Sequence, residues 1–386
     1  MNNQNKIEIG TSSWMGGRAK TVTFAVTDDC QLRCKYCYFP EKDNKKVLTI
    51  DIAKKTIDYL LSNREKFNES SVIIDFIGGE PFLEIELIDQ ICDYFKIESF
   101  KINHPWFEKY RFSFSTNGLL YSSNAVQNFV KKNRKHVDIG ITIDGTEKKH
   151  DLQRIFPDGS GSYSEVYKNI PLWLEQFPEA STKVTISRDD LAYLKESVLH
   201  LWEIGIKNVN ANIVFEDVWQ QGDEKLFESQ LRELADVILQ NDLYKDHSCS
   251  LFQKSIGKPL NSNGNWCGAG KMLCVDYKGD FYPCIRFTPQ SMINYEGRKV
   301  GNYKSGIDFN KIRPFEVLTT TVQSEQKCID CEVATGCAWC QGCNYDFAKS
   351  PTIYERAIYI CEMHKARVSA NNYFWERYEE KVKVDE

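Results

Sequence analysis

Cys30, Cys34 and Cys37 stand within Thr27-Asp-Asp-Cys-Gln-Leu-Arg-Cys-Lys-Tyr-Cys-Tyr38, a C-x3-C-x2-C spacing. Three thiolates on one short segment can hold three corners of a cubane iron–sulfur cluster and leave the fourth iron without a protein ligand. An open iron implies an exogenous ligand, and therefore chemistry rather than electron storage alone. The competing reading is zinc, which usually takes its cysteines as paired C-x2-C knuckles. Thr21-Val-Thr-Phe-Ala-Val26, rich in β-branched and aromatic residues, reads as a strand. The triplet is thus expected on the loop after a first strand, the end at which α/β barrels carry their chemistry.

Fourteen cysteines in 386 residues point the same way. Met1-Asn-Asn-Gln-Asn-Lys6 has no apolar secretory region, so metal or redox sites are expected in place of disulfides, and a cytoplasmic location with them. No apolar run approaches the ~20 residues of a membrane span, and no basic stripe suggests nucleic acid. The cysteines are unevenly placed. Three lie at 30–37, one at 92 and ten between 249 and 361, which divides the chain into two cysteine-bearing regions with a cysteine-poor stretch between.

Between residues 21 and 245, strand-like and helix-like segments alternate. Strands are expected at 21–26, 72–77, 111–115, 137–143, 183–187 and 208–214. Helices are expected near 50–63, 84–96, 122–133, 163–177, 191–204 and 223–241. Such alternation implies an α/β class with parallel strands and crossover helices, and six units suggest an open (β/α)6 barrel. Residues 246–266 read as a linker. The cysteine-rich remainder has few periodic stretches and needs staples, until a helical pattern returns over roughly 352–384. The expected division is an N-terminal extension 1–20, a core 21–245, a linker 246–266 and a cluster-binding domain 267–386.

The cysteine run, with Tyr36 before its third cysteine, resembles the signature of the radical SAM (S-adenosylmethionine) superfamily. The resemblance implies a partial (β/α)6 barrel whose open iron binds SAM, with Tyr36 near the adenine. It also implies reductive cleavage to a 5′-deoxyadenosyl radical. Four further segments fit a SAM site. Gly78-Gly79-Glu80-Pro81 follows the second strand, where glycines let backbone approach a ligand and Glu80 can accept from the SAM amino group. Ser115-Thr-Asn117-Gly118 ends the third strand, and Thr142-Ile-Asp144-Gly145 the fourth. His150-Asp151 and Arg154 follow, then Gly159-Ser-Gly-Ser-Tyr163. By resemblance, Ser115 and Asn117 serve the ribose or methionine carboxylate, Thr142 and Asp144 belong to the same site, and Arg154 pairs with the SAM carboxylate as a rigid fork.

The later cysteines run Cys267-x6-Cys274-x9-Cys284, then Cys328-x2-Cys331-x5-Cys337-x2-Cys340-x2-Cys343, then Cys361. This resembles a C-terminal SPASM domain, which holds two auxiliary [4Fe–4S] clusters. Carried over, Cys267, Cys274, Cys284 and Cys343 would hold the first, and Cys328, Cys331, Cys337 and Cys361 the second. The family's usual spacing after Cys337 would fall on Gln341, so Cys340 and Cys343 both remain open as the crossing ligand. Cys92, in an apolar helical pattern, reads as a buried small hydrophobe, and Cys249 has no assigned role.

SPASM enzymes mostly act on peptides or proteins. The opening Ser13-Trp-Met-Gly-Gly-Arg-Ala-Lys-Thr-Val-Thr-Phe24 resembles maturases of ribosomally made cysteine-repeat precursors. The resemblance implies a radical SAM oxidoreductase that cross-links a precursor peptide, by a thioether ahead of a carbon–carbon bond. Its partners would be that peptide, an external electron donor such as flavodoxin or ferredoxin, and a separate leader-recognition protein. An anaerobic sulfatase maturase, forming formylglycine, is the alternative. Such enzymes place a catalytic Asp after the third auxiliary-I cysteine, where this chain has Ile285 and then Arg286; an apolar side chain cannot remove a proton. An iron–sulfur electron carrier would need the cysteines but not the SAM-site segments. No residue is singled out as the general base.

Overall fold

The computed structural model describes residues 19–43, 45–260, 262–264, 267–337 and 340–385. The first half of the Ser13–Phe24 segment, residues 13–18, therefore lies outside the described residues. By contacts the chain forms two compact units. One comprises Thr11–Ile141 and Asn265–Leu318; the other is centred on Thr142–Gly264 and Thr319–Glu386.

The first unit is built on one sheet. Its first four strands in the chain are β1 (Ala19–Thr27), β2 (Ser71–Gly78), β3 (Tyr110–Thr116) and β4 (Val137–Ile141), all parallel. β1 lies between two neighbours, and its Val22, Phe24 and Val26 have no exposed surface. Phe24 stands opposite Phe76, and Phe76 opposite Phe114. Their rings meet at centroid distances of 6.0 and 5.2 Å, an aromatic seam across three strands.

Helices Ile50–Ser62, Ile85–Lys101 and Asn124–Asn133 make the crossovers. The first begins where Thr49 accepts a hydrogen bond from Ile52 N, with Asp51 in its first turn. It buries Ala53, Ile57, Leu60 and Leu61, one face at helical spacing. Cys92 is buried in the second helix, as its pattern predicts. Because these strands run parallel, the loops after β1, β2 and β3 all leave the same edge of the sheet.

The cysteine-rich segment extends this sheet. β8 (Leu273–Val275) pairs parallel to β1, with Cys274 opposite Thr23. β9 (Asp280–Tyr282), β10 (Gly301–Asn302) and β11 (Gly306–Ile307) follow as antiparallel neighbours.

The second unit carries three parallel strands, β5 (Ser181–Ile186), β6 (Asn208–Ile213) and β7 (Ser248–Cys249). β7 lies within the segment read as a linker, and it buries Cys249. A helix at Glu147–Gln153 had no sequence expectation. The last helix, Cys361–Asp385, packs along Asp223–Gln240: Arg232 donates to Ser369 Oγ at 3.0 Å, and the Tyr373 hydroxyl to Asp236 at 2.7 Å. Among the described residues no helix is long and apolar enough to cross a membrane.

Candidate functional site

The loop after β1 presents Cys30 buried and Cys34 and Cys37 half-buried, with Tyr36 half-buried between them. None of the fourteen cysteines is joined in a disulfide. Donors converge on the triplet's sulfurs. Leu32 N lies 3.4 Å from Cys30 Sγ, Asn117 Nδ2 3.7 Å from the same atom, and Lys42 Nζ 3.3 Å from Cys37 Sγ. Burial pushes the Cys30 thiol up to about 11. Such a thiol becomes a thiolate when a metal's charge replaces its proton. The donor set, soft sulfurs ringed by N–H groups, suits an iron–sulfur cluster, and Cys30, Cys34 and Cys37 are the residues that would hold it.

Two more loops close onto this one. Gly79 N donates to Thr27 O and Glu80 N to Asp29 O, each at 2.8 Å. A Cβ at Gly78 would overlap the Thr27 carbonyl, and one at Gly79 the Asp29 carbonyl. The two glycines therefore let β2's loop approach the backbone that leads into the cysteines. From sequence, the same freedom is expected to admit a ligand as well. Glu80, 1% exposed, accepts from Phe82 N at 3.0 Å, Thr116 Oγ1 at 2.6 Å and Asn117 N at 2.7 Å. Its carboxylate thereby ties the end of β2 to the end of β3. Asn117, also buried, donates to Gln31 Oε1 at 3.1 Å. Ser115, one position before Thr116, is exposed. Cys30, Cys34, Cys37, Tyr36, Gly78, Gly79, Glu80, Ser115 and Asn117 thus occupy adjoining loops or strand ends of the first unit.

Thr142, Asp144 and Arg154 belong to the second unit. Thr142 is half-buried, and Asp144 and Arg154 are buried. Asp144 Oδ1 accepts from Thr185 N on β5 at 3.1 Å. Behind it, Lys149 and Asp190 form an ion pair of 3.6 Å with neither side chain exposed. Lys149 Nζ also donates to Thr185 O at 2.8 Å. Burial, opposed by Lys149, pushes the Asp190 carboxyl up to about 6.

The remaining cysteines fall into neighbourhoods. In the first unit Cys274 and Cys284 are buried and Cys267 is half-buried; burial, with Cys284 adding to it, holds the Cys274 thiol well above its ordinary pKa. Arg286, two residues past Cys284, places its guanidinium 5.1 Å from the ring centre of Tyr38, which follows Cys37. In the second unit burial pushes the Cys337 thiol up to about 11; Arg356 opposes the shift, and Cys361, Cys328 and Cys331 add to it. The helix Gln341–Phe347 starts at Cys340 and buries Cys343. Beside these cysteines, Gln341 Nε2 and Oε1, Asn344 Nδ2 and the Tyr359 hydroxyl are buried polar atoms that find no hydrogen-bond partner among the described residues. Interiors rarely leave such groups unmatched, and a cluster's sulfides would accept from the three donors among them. Sequence reasoning missed Gln341, Asn344 and Tyr359; Gln341 drew attention only as a break in cysteine spacing. A cavity of about 640 Å³ lined by Lys55, Asp58, Tyr59, Ser62, Tyr303 and Lys304 shares no residue with these sites.

Residues 24–190 match the family described as the Radical SAM superfamily. Among curated proteins, the chain is 25% identical over 265 residues to an uncharacterized protein of Methanocaldococcus jannaschii, covering 69% of this chain and 84% of that one. It is 24% identical over 221 residues to the radical SAM cyclopropyl synthase TigE of Paramaledivibacter caminithermalis, covering 52% of this chain and only 43% of the relative. It is 22% identical to the serine-type anaerobic sulfatase-maturating enzyme of Bacteroides thetaiotaomicron, with 67% of each chain covered. The solved structure of native anSMEcpe with bound AdoMet superposes over 95% of this chain and 98% of its own, with a TM-score of 0.70 at 17% identity, a likeness of fold. The chain carries a radical SAM domain, and its α/β fold is that of the radical SAM enzymes.

Proposed function

We propose that this chain is a radical SAM peptide maturase that abstracts hydrogen from a ribosomally made precursor and closes a cross-link, by a thioether ahead of a carbon–carbon bond. The observation that carries the radical chemistry is the knot of three loops around Cys30, Cys34 and Cys37, joined through Gly79, Glu80 and Asn117. The bound cluster would supply one electron to SAM, releasing a 5′-deoxyadenosyl radical. The chain's own part is to hold that cluster by three cysteines, to orient SAM through Tyr36, Ser115, Asn117, Thr142, Asp144 and Arg154, and to keep the loops rigid.

Two auxiliary clusters would give a substrate radical an electron exit, one through Cys267, Cys274, Cys284 and either Cys343 or Cys340, the other through Cys328, Cys331, Cys337 and Cys361. The division into a core 21–245, a linker 246–266 and a cluster domain 267–386 belongs to this reading, as do flavodoxin or ferredoxin as donor and a separate leader-binding protein.

Formylglycine formation is the second reading, favoured by the sulfatase-maturating relative. The short 3-10 turn Ile285–Phe287 after Cys284 holds no acid, which weighs against it. The deciding experiment is mass spectrometry of a candidate precursor incubated with reconstituted enzyme, SAM and a strong reductant. A loss of about 2 Da per modification that leaves no carbonyl reactive toward a hydrazine supports a cross-link, whereas a loss of about 18 Da from a cysteine, or of about 2 Da from a serine that becomes hydrazine-reactive, supports an aldehyde instead. Absence of 5′-deoxyadenosine from iron-loaded protein would point to an electron carrier.

A further inference from the structure

His150 has no exposed surface and takes no part in the chemistry above. Its ring bridges two segments of the second unit. Nδ1 lies 3.2 Å from the backbone nitrogen of Asp144, and Nε2 lies 3.0 Å from Ser162 Oγ. Ser162 Oγ in turn lies 2.7 Å from the Arg154 carbonyl. A backbone N–H can only donate and a carbonyl can only accept, so the chain has one direction. Asp144 N–H donates to Nδ1, Nε2–H donates to Ser162 Oγ, and the Ser162 hydroxyl donates to Arg154 O. Only the neutral ring protonated on Nε2 satisfies all three bonds. Burial, with Arg154 adding to it, pushes the His150 pKa down to about 3, which keeps the ring neutral at physiological pH.

The surrounding backbone is stapled in the same place. Arg154 ends the Glu147–Gln153 helix with its N–H on His150 O at 2.8 Å. The chain then turns through a bridge between Ile155 and Gly161 and returns to Tyr163, whose N–H donates to Asp151 Oδ1 at 2.8 Å. A Cβ at Gly161 would overlap that Asp151 carboxylate. The His150-Asp151 pair and the Gly161-Ser162-Tyr163 run are thus the two faces of one clasp, and Thr185 N holds Asp144 from the far side.

We propose that His150 is a positioning residue, whose single tautomer sets the Thr142–Gly145 turn against the Arg154 backbone and thereby sets the affinity for SAM. The inference rests on the reading that Thr142, Asp144 and Arg154 belong to the SAM site. The alternative is a satisfied core histidine that contributes to stability alone.

The test uses the anaerobically reconstituted holoenzyme. SAM affinity is measured by calorimetry, alongside the melting temperature and the change SAM induces in the reduced cluster's EPR spectrum. Ser162→Ala and His150→Phe should each weaken SAM binding roughly tenfold, since each breaks a buried hydrogen bond in the chain. His150→Asn, which can keep the acceptor facing Asp144, and His150→Gln, which can keep the donor facing Ser162, should fall between them and wild type. If His150→Phe does not fold, Ser162→Ala and His150→Asn decide the matter. A lower melting temperature with unchanged SAM affinity and an unchanged EPR response overturns the proposal. Arg154→Lys separates the two failures. Wild-type SAM affinity in that variant sinks the site assignment itself, whereas weakened binding there with normal binding in Ser162→Ala sinks only the positioning role.

Discussion

The carboxylate of Glu80 accepts a 2.7 Å hydrogen bond from the backbone of Asn117, thirty-seven residues away in the chain. Through that bond and its partner from Thr116, the loop after β2 is fastened to the loop after β3. Asn117 then reaches the sulfur of Cys30. Glu80→Ala removes an acceptor from three donors, all on buried residues that cannot turn to water. A loss of roughly 2–4 kcal/mol in stability is expected, given about 1–3 kcal/mol for each unsatisfied buried group. Urea unfolding monitored by circular dichroism measures it, and a change below about 1 kcal/mol would contradict the role assigned to the carboxylate.

Gly79→Ala places a methyl group into the Asp29 carbonyl, one residue from Cys30. The seam between the first two loops must open, so the variant should bind markedly less iron on reconstitution. Gly159→Ala offers the control: apart from its chain neighbours nothing lies within 4 Å of its Cβ position, so the strain of an alanine at its φ of +87° stays within that turn of the other unit; it should keep wild-type iron. Iron and sulfide analysis with the 400 nm absorbance region checks both, and equal iron in the two variants would refute the argument.

Lys149 and Asp190 are a buried ion pair, and breaking one side leaves an uncompensated charge. Lys149→Met should cost about 3–5 kcal/mol, whereas Lys149→Met with Asp190→Leu should recover most of that loss. Urea midpoints of the two variants make the comparison. Equal destabilisation by the single and double changes would show that the pair matters through packing instead.

His150 and Asp190 give stability opposite pH slopes. The folded His150 pKa, about 3, lies below its ordinary value of 6.5, so the unfolded chain binds more protons between these limits. That contribution is fully present above pH 6.5 and is lost as pH falls toward 3. Asp190, raised from 3.8 to about 6, favours the folded state at low pH and loses that contribution as pH rises through 6. Between pH 7.5 and 5.5, His150→Asn should therefore lose less stability than wild type, and Asp190→Asn more. Chemical denaturation at the two pH values tests the signs, and identical slopes in all three proteins would overturn both assignments.

Iron counting tests the three-cluster reading. Reconstituted wild type should hold about 12 irons, and the variant with alanine at Cys30, Cys34 and Cys37 about 8. Alanine at Cys340 or at Cys343, one at a time, identifies the crossing ligand as the position whose loss perturbs an auxiliary cluster's EPR signal. Zinc in place of iron would end the radical reading.

Much of this molecule was legible in the order of its residues. Strand and helix positions in the core follow from local periodicity, as Thr49 with Asp51 opens a helix and Val22, Phe24 and Val26 fill a strand. The cysteine triplet is legible because its donors lie within eight consecutive residues. The later cysteines declare their number but not their setting: nothing local says that Cys274 pairs beside Thr23 on the core sheet. Nor does spacing reveal what Gly79 approaches, what Glu80 holds, or that His150 joins Asp144 to Arg154 through Ser162. Those relationships depend on hydrogen bonds and close backbone contacts between segments brought together by folding, whose directions only the packed chain defines. Local periodicity and spacing thus account for the main strands and helices of the core and for the grouping of the first three cysteines, but not for the helix Glu147–Gln153 or for β7. The tertiary structure decided which polar groups meet, because a buried donor must find its acceptor wherever packing has placed it.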